Sequence, residues 1–186
     1  MSFRTKIQTV GVLGAGQMGS GIAQTFARSG RDVLLFDAAE GAVERARGVI
    51  AKSLDKFAGK GKISADDAAA AKARIKPASI NDMSGVDLVV EAIIEDVAAK
   101  RALFQQLDSV VAKDVIFASN TSSISISELG EASGRPTQFI GMHFFNPVPL
   151  MSLVEVVRGL KTDDAVVEHI VALAKELGKE PHCVKD

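Results

Sequence analysis

Apolar residues along the chain alternate between short unbroken runs and a four-residue repeat. Val10-Gly11-Val12-Leu13 is an apolar run ending at glycines, the pattern of a buried strand. Gln17 to Ser29 repeats as a helix, with Met18, Ile22 and Phe26 on one face and Gly30 as the stop. Val33-Leu34-Leu35-Phe36 is a second strand, ending at Asp37. The helical period returns from Ala39 to Phe57 through Val43, Ala46, Ile50 and Leu54, and Ala58-Gly59-Lys60-Gly61-Lys62 breaks it. Ser64 then caps an alanine-rich helix to about Arg74, with Asp67 completing a weak capping box. These two helices form a hairpin inserted between strands over about residues 39–74.

Further strands are expected at Ile75 to Ile80, Val86 to Ala92, Val115 to Ala118, Phe139 to Met142 and Leu153 to Val157. Helices are expected at Val97 to Val111, Ser125 to Leu129 and a last segment through Val166, Ile170, Leu173 and Leu177, capped near Thr162 or Asp163. Asn146-Pro147-Val148-Pro149 reverses the chain, and Glu180 to Asp186 reads as one more short strand. Strands alternating with helices predict an α/β domain with a mostly parallel sheet. The final third departs from alternation, which predicts one or two antiparallel edge strands.

Composition narrows the function. The 186 residues fit one domain spanning 1–186, and 47% hydrophobic with 24% charged residues is ordinary globular usage. Twenty-two basic against 23 acidic residues argue against a nucleic-acid partner. No apolar run approaches the ~20 residues of a membrane span, and the start lacks the apolar core of a signal peptide. The expectation is a reduced, cytoplasmic protein. One cysteine, Cys183, excludes an intrachain disulfide framework and multi-cysteine metal sites, and no residue is expected to bind a metal. With no tyrosine, a tyrosine acid/base is impossible.

Gly14-Ala15-Gly16-Gln17-Met18-Gly19 is a G-x-G-x-x-G pattern that closes a strand and opens a helix within a β-α-β unit, the context it needs to bind a dinucleotide. Gly14 permits the tight turn, Gly16 lets a pyrophosphate reach the backbone, and Gly19 lets helix and strand pack closely. Helix amides and dipole stabilise the anion. Asp37 lies 18 residues after Gly19, where a carboxylate accepts ribose hydroxyls and repels a 2′-phosphate, so NAD is favoured over NADP. FAD is the rival ligand, and a bare helix cap is the rival role for Asp37.

Ligands of open parallel sheets sit beyond the carboxyl ends of strands. That rule selects the glycine loop, Glu91-Ala92, Ser119-Asn120-Thr121-Ser122-Ser123 and His143. Glu155 is an odd carboxylate within Leu153-Val154-Glu155-Val156-Val157. If the 146–150 segment reverses the chain, residues 143 and 155 fall level and can pair as a base and its orienting carboxylate. The alternatives are a structural histidine and an edge-strand ion pair. Lys52, Lys56 and Lys60 recur on the hairpin with Lys62 beyond them, either as an anion-binding face or as a solvated one. His169 reads as a surface residue and Cys183 as a small buried hydrophobe.

The segments Gly14 to Ala23, Val90-Glu91-Ala92, Ser119 to Ile124, Gly141 to Pro149, Leu153 to Val156 and Leu177-Gly178-Lys179 resemble the 3-hydroxyacyl-CoA dehydrogenases in order along nearly the whole chain. The short bacterial 3-hydroxybutyryl-CoA type is the nearest sub-family. The resemblance implies a Rossmann-type doubly wound sheet, NAD as cofactor and an acyl-CoA substrate. It implies that His143 is the acid/base, Glu155 its partner and Ser122 a hydrogen-bond donor to the substrate oxygen. Asp37, Ala92, Glu95, Lys100, Asn120 and Asn146 take cofactor positions beside the glycine loop, including Gln17 and Met18. Ser53 and Lys60 match positions that touch coenzyme A. The family continues with a helical domain that forms a homodimer and closes the site, so this chain is expected to be the amino-terminal domain. Competing readings are a β-hydroxyacid dehydrogenase, whose catalytic lysine lies in a later domain, and a non-catalytic NAD-binding scaffold.

Overall fold

The computed structural model describes residues 3–186. Eight strands form one sheet: β1 (Thr9–Leu13), β2 (Asp32–Phe36), β3 (Ile75–Pro77), β4 (Leu88–Glu91), β5 (Ile116–Ser119), β6 (Phe139–Phe144), β7 (Leu153–Arg158) and β8 (Glu180–Lys185). Their spatial order is β3-β2-β1-β4-β5-β6-β7-β8. The first six are parallel, β7 is antiparallel to β6, and β8 is parallel to β7. The doubly wound α/β architecture and the two reversed strands at one edge are as the sequence predicts.

Six helices cover the sheet: α1 (Gln17–Arg28), α2 (Ala42–Gly59), α3 (Ala65–Arg74), α4 (Val97–Asp108), α5 (Ile126–Ala132) and α6 (Asp164–Glu176). Adjacent strand residues feed opposite faces. Leu88 and Val90 join one buried cluster with Ile22, Phe26, Ile50 and Ile170, whereas Val89 joins the other with Phe104, Phe117, Leu129 and Phe139. The hairpin of α2 and α3 is closed by a full capping box, in which Asp67 N donates to Ser64 Oγ at 2.9 Å and Ser64 N to Asp67 Oδ2 at 3.4 Å.

Some boundaries differ from the sequence reading. α4 stops at Asp108 rather than continuing to Val111. There Lys113 and Arg135 converge on the Asp108 carboxylate and the chain turns to enter β5. Asp163 caps α6 by position without a side-chain bond, because Thr162 Oγ1 instead accepts from Gly159 N and donates to Phe139 O. Strand order reverses between β1 and β4, which leaves the crevice beyond their carboxyl ends open for a ligand.

Candidate active site

The glycine loop lies in that crevice. Gly14 adopts φ +107°, and a Cβ on it would sit 2.3 Å from the Ala92 carbonyl oxygen. A Cβ on Gly19 would fall 1.8 Å from the Gly14 oxygen, so helix and loop touch there. Gly16 differs: a Cβ on it meets nothing within 4 Å. It is exposed and caps α1, whose first turn carries no acidic residue. Free amides at a helix start with open space above them fit a diphosphate.

Asp37 makes two backbone bonds. Its Oδ2 accepts from Ala15 N at 2.7 Å and its Oδ1 from Ala39 N at 2.8 Å, which ties β2 to the glycine loop. A carboxylate has about four acceptor sites, so these bonds leave capacity for ribose hydroxyls. Asp37 caps neither α1 nor α2, whose first residues receive no side-chain bond, so the helix-cap alternative is not what the structure shows, while its carboxylate lines the cleft. A cleft of about 690 Å³ runs from Gly16, Gln17 and Asp37 along α2 to Ser53, Lys56, Lys60 and Lys62. Its opposite wall is the turn from Asn146 to Leu150. Lys52 lies outside this lining and faces solvent.

A second cleft of about 380 Å³ shares Asn146 with the first and is lined by Met18, Ala92, Glu95, Asn120, Ser122, His143 and Phe145, among others. The antiparallel register sets His143 opposite Glu155. His143 Nδ1 lies 2.8 Å from Glu155 Oε2. Sequence reasoning did not single out Phe145, whose ring packs on the imidazole at a centroid distance of 4.5 Å. The Asn120 side-chain oxygen accepts from Phe144 N at 2.8 Å, locking the end of β6 beside His143. Asn120 thus braces the strand end that carries His143 as well as lining the cleft.

Beneath the cleft lies a charged network. Glu91 is fully buried at the end of β4. Its Oε1 accepts from Lys100 Nζ at 2.5 Å and Ile93 N at 2.7 Å, and its Oε2 from Ser119 Oγ at 2.5 Å. Lys100 is 1% exposed and also pairs with Glu95 at 3.2 Å. The sequence reading puts Lys100 in contact with the cofactor, but the structure buries its ammonium between two carboxylates, outside the cleft lining. Glu95 Oε1 in turn accepts from Thr121 Oγ1, Ser122 N and Ser123 Oγ. Burial opposes ionisation of Glu95, but the Thr121 hydroxyl, the Lys100 ammonium and the Ser122 amide outweigh it and lower its pKa.

Two assignments outside the site are corrected. Cys183 is exposed rather than buried, because β8 is an outer strand with neither face covered. His169 is half-buried rather than on the surface, with its ring 5.5 Å from that of Phe3. Desolvation lowers its pKa against an opposing pull from Glu176. No cluster of three or more metal-ligating side chains occurs among the described residues. No helix among them is long and apolar enough to cross a membrane.

A family model described as 3-hydroxyacyl-CoA dehydrogenase, NAD binding domain, matches residues 9–186. The probable 3-hydroxybutyryl-CoA dehydrogenase of Deinococcus radiodurans is 50% identical over 177 residues, covering 95% of this chain and 63% of that protein. The fatty acid oxidation complex subunit alpha of Pseudomonas paraeruginosa is 44% identical over 181 residues, 97% of this chain and 25% of that protein. Among solved structures, the (S)-3-hydroxybutyryl-CoA dehydrogenase of Ralstonia eutropha matches with a TM-score of 0.94 and 47% identity, over 97% of this chain and 64% of that one. The chain therefore spans less than two thirds of the length of these relatives. With the match covering nearly every described residue and the glycine loop, Asp37 and His143 in their clefts, the chain belongs to the 3-hydroxyacyl-CoA dehydrogenase family, as its NAD-binding domain.

Proposed function

We propose that this protein is the cofactor-binding and acid–base part of an NAD-dependent dehydrogenase that interconverts 3-hydroxyacyl-CoA and 3-ketoacyl-CoA thioesters. The observation that carries this reading is the His143–Glu155 pair, at 2.8 Å, in a cleft that meets the glycine-loop cleft at Asn146. Bound NAD would supply the hydride chemistry, as acceptor in alcohol oxidation and donor in ketone reduction. Gly16 and the first amides of α1 would hold its diphosphate, Asp37 would accept from the adenosine ribose, and Ala92, Glu95 and Asn146, which line the second cleft, would lie toward its other end.

The remaining chemistry is proton transfer. A carboxylate oxygen only accepts, so the Glu155 side holds the hydrogen on His143 Nδ1 and leaves Nε2 for the substrate hydroxyl. Nε2 takes the hydroxyl proton in oxidation and returns it in ketone reduction. Glu155 stabilises the imidazolium that oxidation creates. Ser122 is exposed on the loop fixed by Glu95, where its hydroxyl can donate to the reacting oxygen. Along the other cleft, Ser53 and the ammonium groups of Lys56, Lys60 and Lys62 suit the phosphates of coenzyme A. A 3-hydroxybutyryl or acetoacetyl thioester is the proposed substrate, in line with the names of the relatives.

The test is a spectrophotometric assay with NADH and acetoacetyl-CoA on the longest native form of the chain, with free acetoacetate as control. Turnover of the thioester alone is expected. His143→Gln should lose about 10²–10⁴-fold in turnover, the usual worth of a general acid or base, while retaining NADH affinity. Near-normal turnover in that variant would remove His143 from the mechanism. Equal use of free acetoacetate would remove the coenzyme A assignment.

A further inference from the structure

The turn between β6 and β7 walls both clefts, with Asn146 at their junction and Pro147 to Leu150 along the larger one. It is gripped from two sides. In front, Val148 and Pro149 sit against α1 at Gly21, where a Cβ would lie 2.7 Å from Val148 Cβ and 3.4 Å from Pro149 Cδ. Only a residue without a side chain allows that approach.

Behind the turn stands Lys179, the residue before β8. Its Nζ donates to the Val148 carbonyl at 2.6 Å and the Met151 carbonyl at 2.7 Å. The residue is 9% exposed. Desolvation lowers its pKa, nearby Arg28 adds to the effect, and no carboxylate offsets either. A buried ammonium is a costly way to fill space, since an apolar side chain of the same length would pack there without desolvating a charge. The ammonium adds something an apolar chain cannot. It draws two carbonyls of one turn onto a single point and so fixes the shape of that turn.

We infer that Lys179 is a positioning residue for both ligands: it presses the 146–151 turn onto Gly21 and thereby sets the wall that the two clefts share. This rests on the proposed reading of the clefts as cofactor and thioester sites. Lys179 touches neither ligand and acts through Asn146 and the carbonyls it holds. Nothing in the family resemblance gives it this role.

The decisive variant is Lys179→Met, which keeps an unbranched chain one atom shorter and removes every donor. NADH and acetoacetyl-CoA are titrated separately into the wild-type protein and the variant. Both affinities should weaken about tenfold, the order expected for losing hydrogen bonds to a charged group. Rescue separates the ammonium from mere packing. In a Cys183→Ser background, Lys179→Cys alkylated to an aminoethyl thioether carries an amine at nearly lysine length, and both affinities should return. Unchanged affinities in Lys179→Met, loss of one ligand only, or failure of the aminoethyl group to rescue would each overturn the inference.

Should Lys179→Met fail to fold, Gly21→Ala pushes the same turn from the opposite side and must also weaken both ligands. Unchanged binding there would overturn the inference equally. If the wild-type protein binds neither ligand, the functional reading fails, and the grip is read without ligands. The amides of Leu150 and Met151 both donate to the Pro147 carbonyl, at 2.9 and 3.0 Å. Their hydrogen exchange should quicken selectively in Lys179→Met, and equal rates would refute the grip itself.

Discussion

The three glycines of the loop should separate cleanly into one that serves the ligand and two that serve the fold. Gly16 sits at φ −74° with extended ψ, a conformation any residue adopts, and a Cβ there meets no protein atom within 4 Å. Gly16→Ala gains a few tenths of a kcal/mol from a stiffer unfolded chain and loses a similar amount because alanine caps helices less well than glycine. The net change should stay within about 0.5 kcal/mol, or under about 2 °C in Tm for a chain of this length. The new methyl nevertheless occupies the space where the diphosphate must meet the α1 amides. Losing one or two charge-assisted hydrogen bonds there should weaken NADH binding about 100-fold. Gly19→Ala places its Cβ 1.8 Å from the Gly14 carbonyl oxygen, a backbone atom that cannot swing aside. Overpacking of that kind costs roughly 1–3 kcal/mol, or about 3–10 °C. Thermal melts and NADH fluorescence titrations on both variants decide the matter. Wild-type NADH affinity in Gly16→Ala would show that no diphosphate approaches the loop. Wild-type stability in Gly19→Ala would refute the packing account.

Two further outcomes follow from carboxylates elsewhere in the sheet. Asp37→Ala should narrow the preference for NADH over NADPH, because the charge facing a 2′-phosphate is gone, and parallel titrations of both cofactors check it; equal affinities in the wild-type protein would remove the selectivity role. Asp87 has a lowered pKa: burial opposes ionisation, but the amides of Thr9 and Gln8 and the Arg4 guanidinium outweigh it. A depressed carboxylate contributes stability that is present above its unfolded pKa of about 3.9 and lost as pH falls through the lower folded value. Tm should therefore drop below about pH 4, and Asp87→Asn should flatten that drop; an unchanged acid limb in the variant would show that the group does not report on folding.

The fold was legible because its signals are local and agree with one another. Val10 to Leu13 and Val33 to Phe36 are apolar runs of strand length, and the intervening helix carries its own period and stop. Asn146 and Pro147 announce a reversal, so the level pairing of residues 143 and 155 could be expected before any coordinates. The Asp37 cap on the glycine loop was weighed only as a rival to ribose binding. The bond from Ala15 N instead ties the end of β2 to the glycine loop, a role that neither alternative named.

What stayed hidden was set by distance through the sheet rather than along the chain. Glu91 and Lys100 are nine residues apart across a strand–loop–helix connection, and nothing in that spacing says that both are fully buried. In water the pair would be worth little, but out of water either charge is costly to leave unpaired. In this structure Lys100 is the counter-ion of Glu91 and also pairs with Glu95, Glu95 accepts from the backbone amide of Ser122, and Ser122 lines the cleft. A residue matched to a cofactor position by its place in the sequence thus lies one ion pair behind Glu95, which lines the cleft. Lys179 illustrates the same logic from the other side of the clefts. Its sequence neighbourhood is a helix stop and an edge strand, and only the folded chain brings its ammonium within 2.6 Å of a turn thirty-one residues earlier.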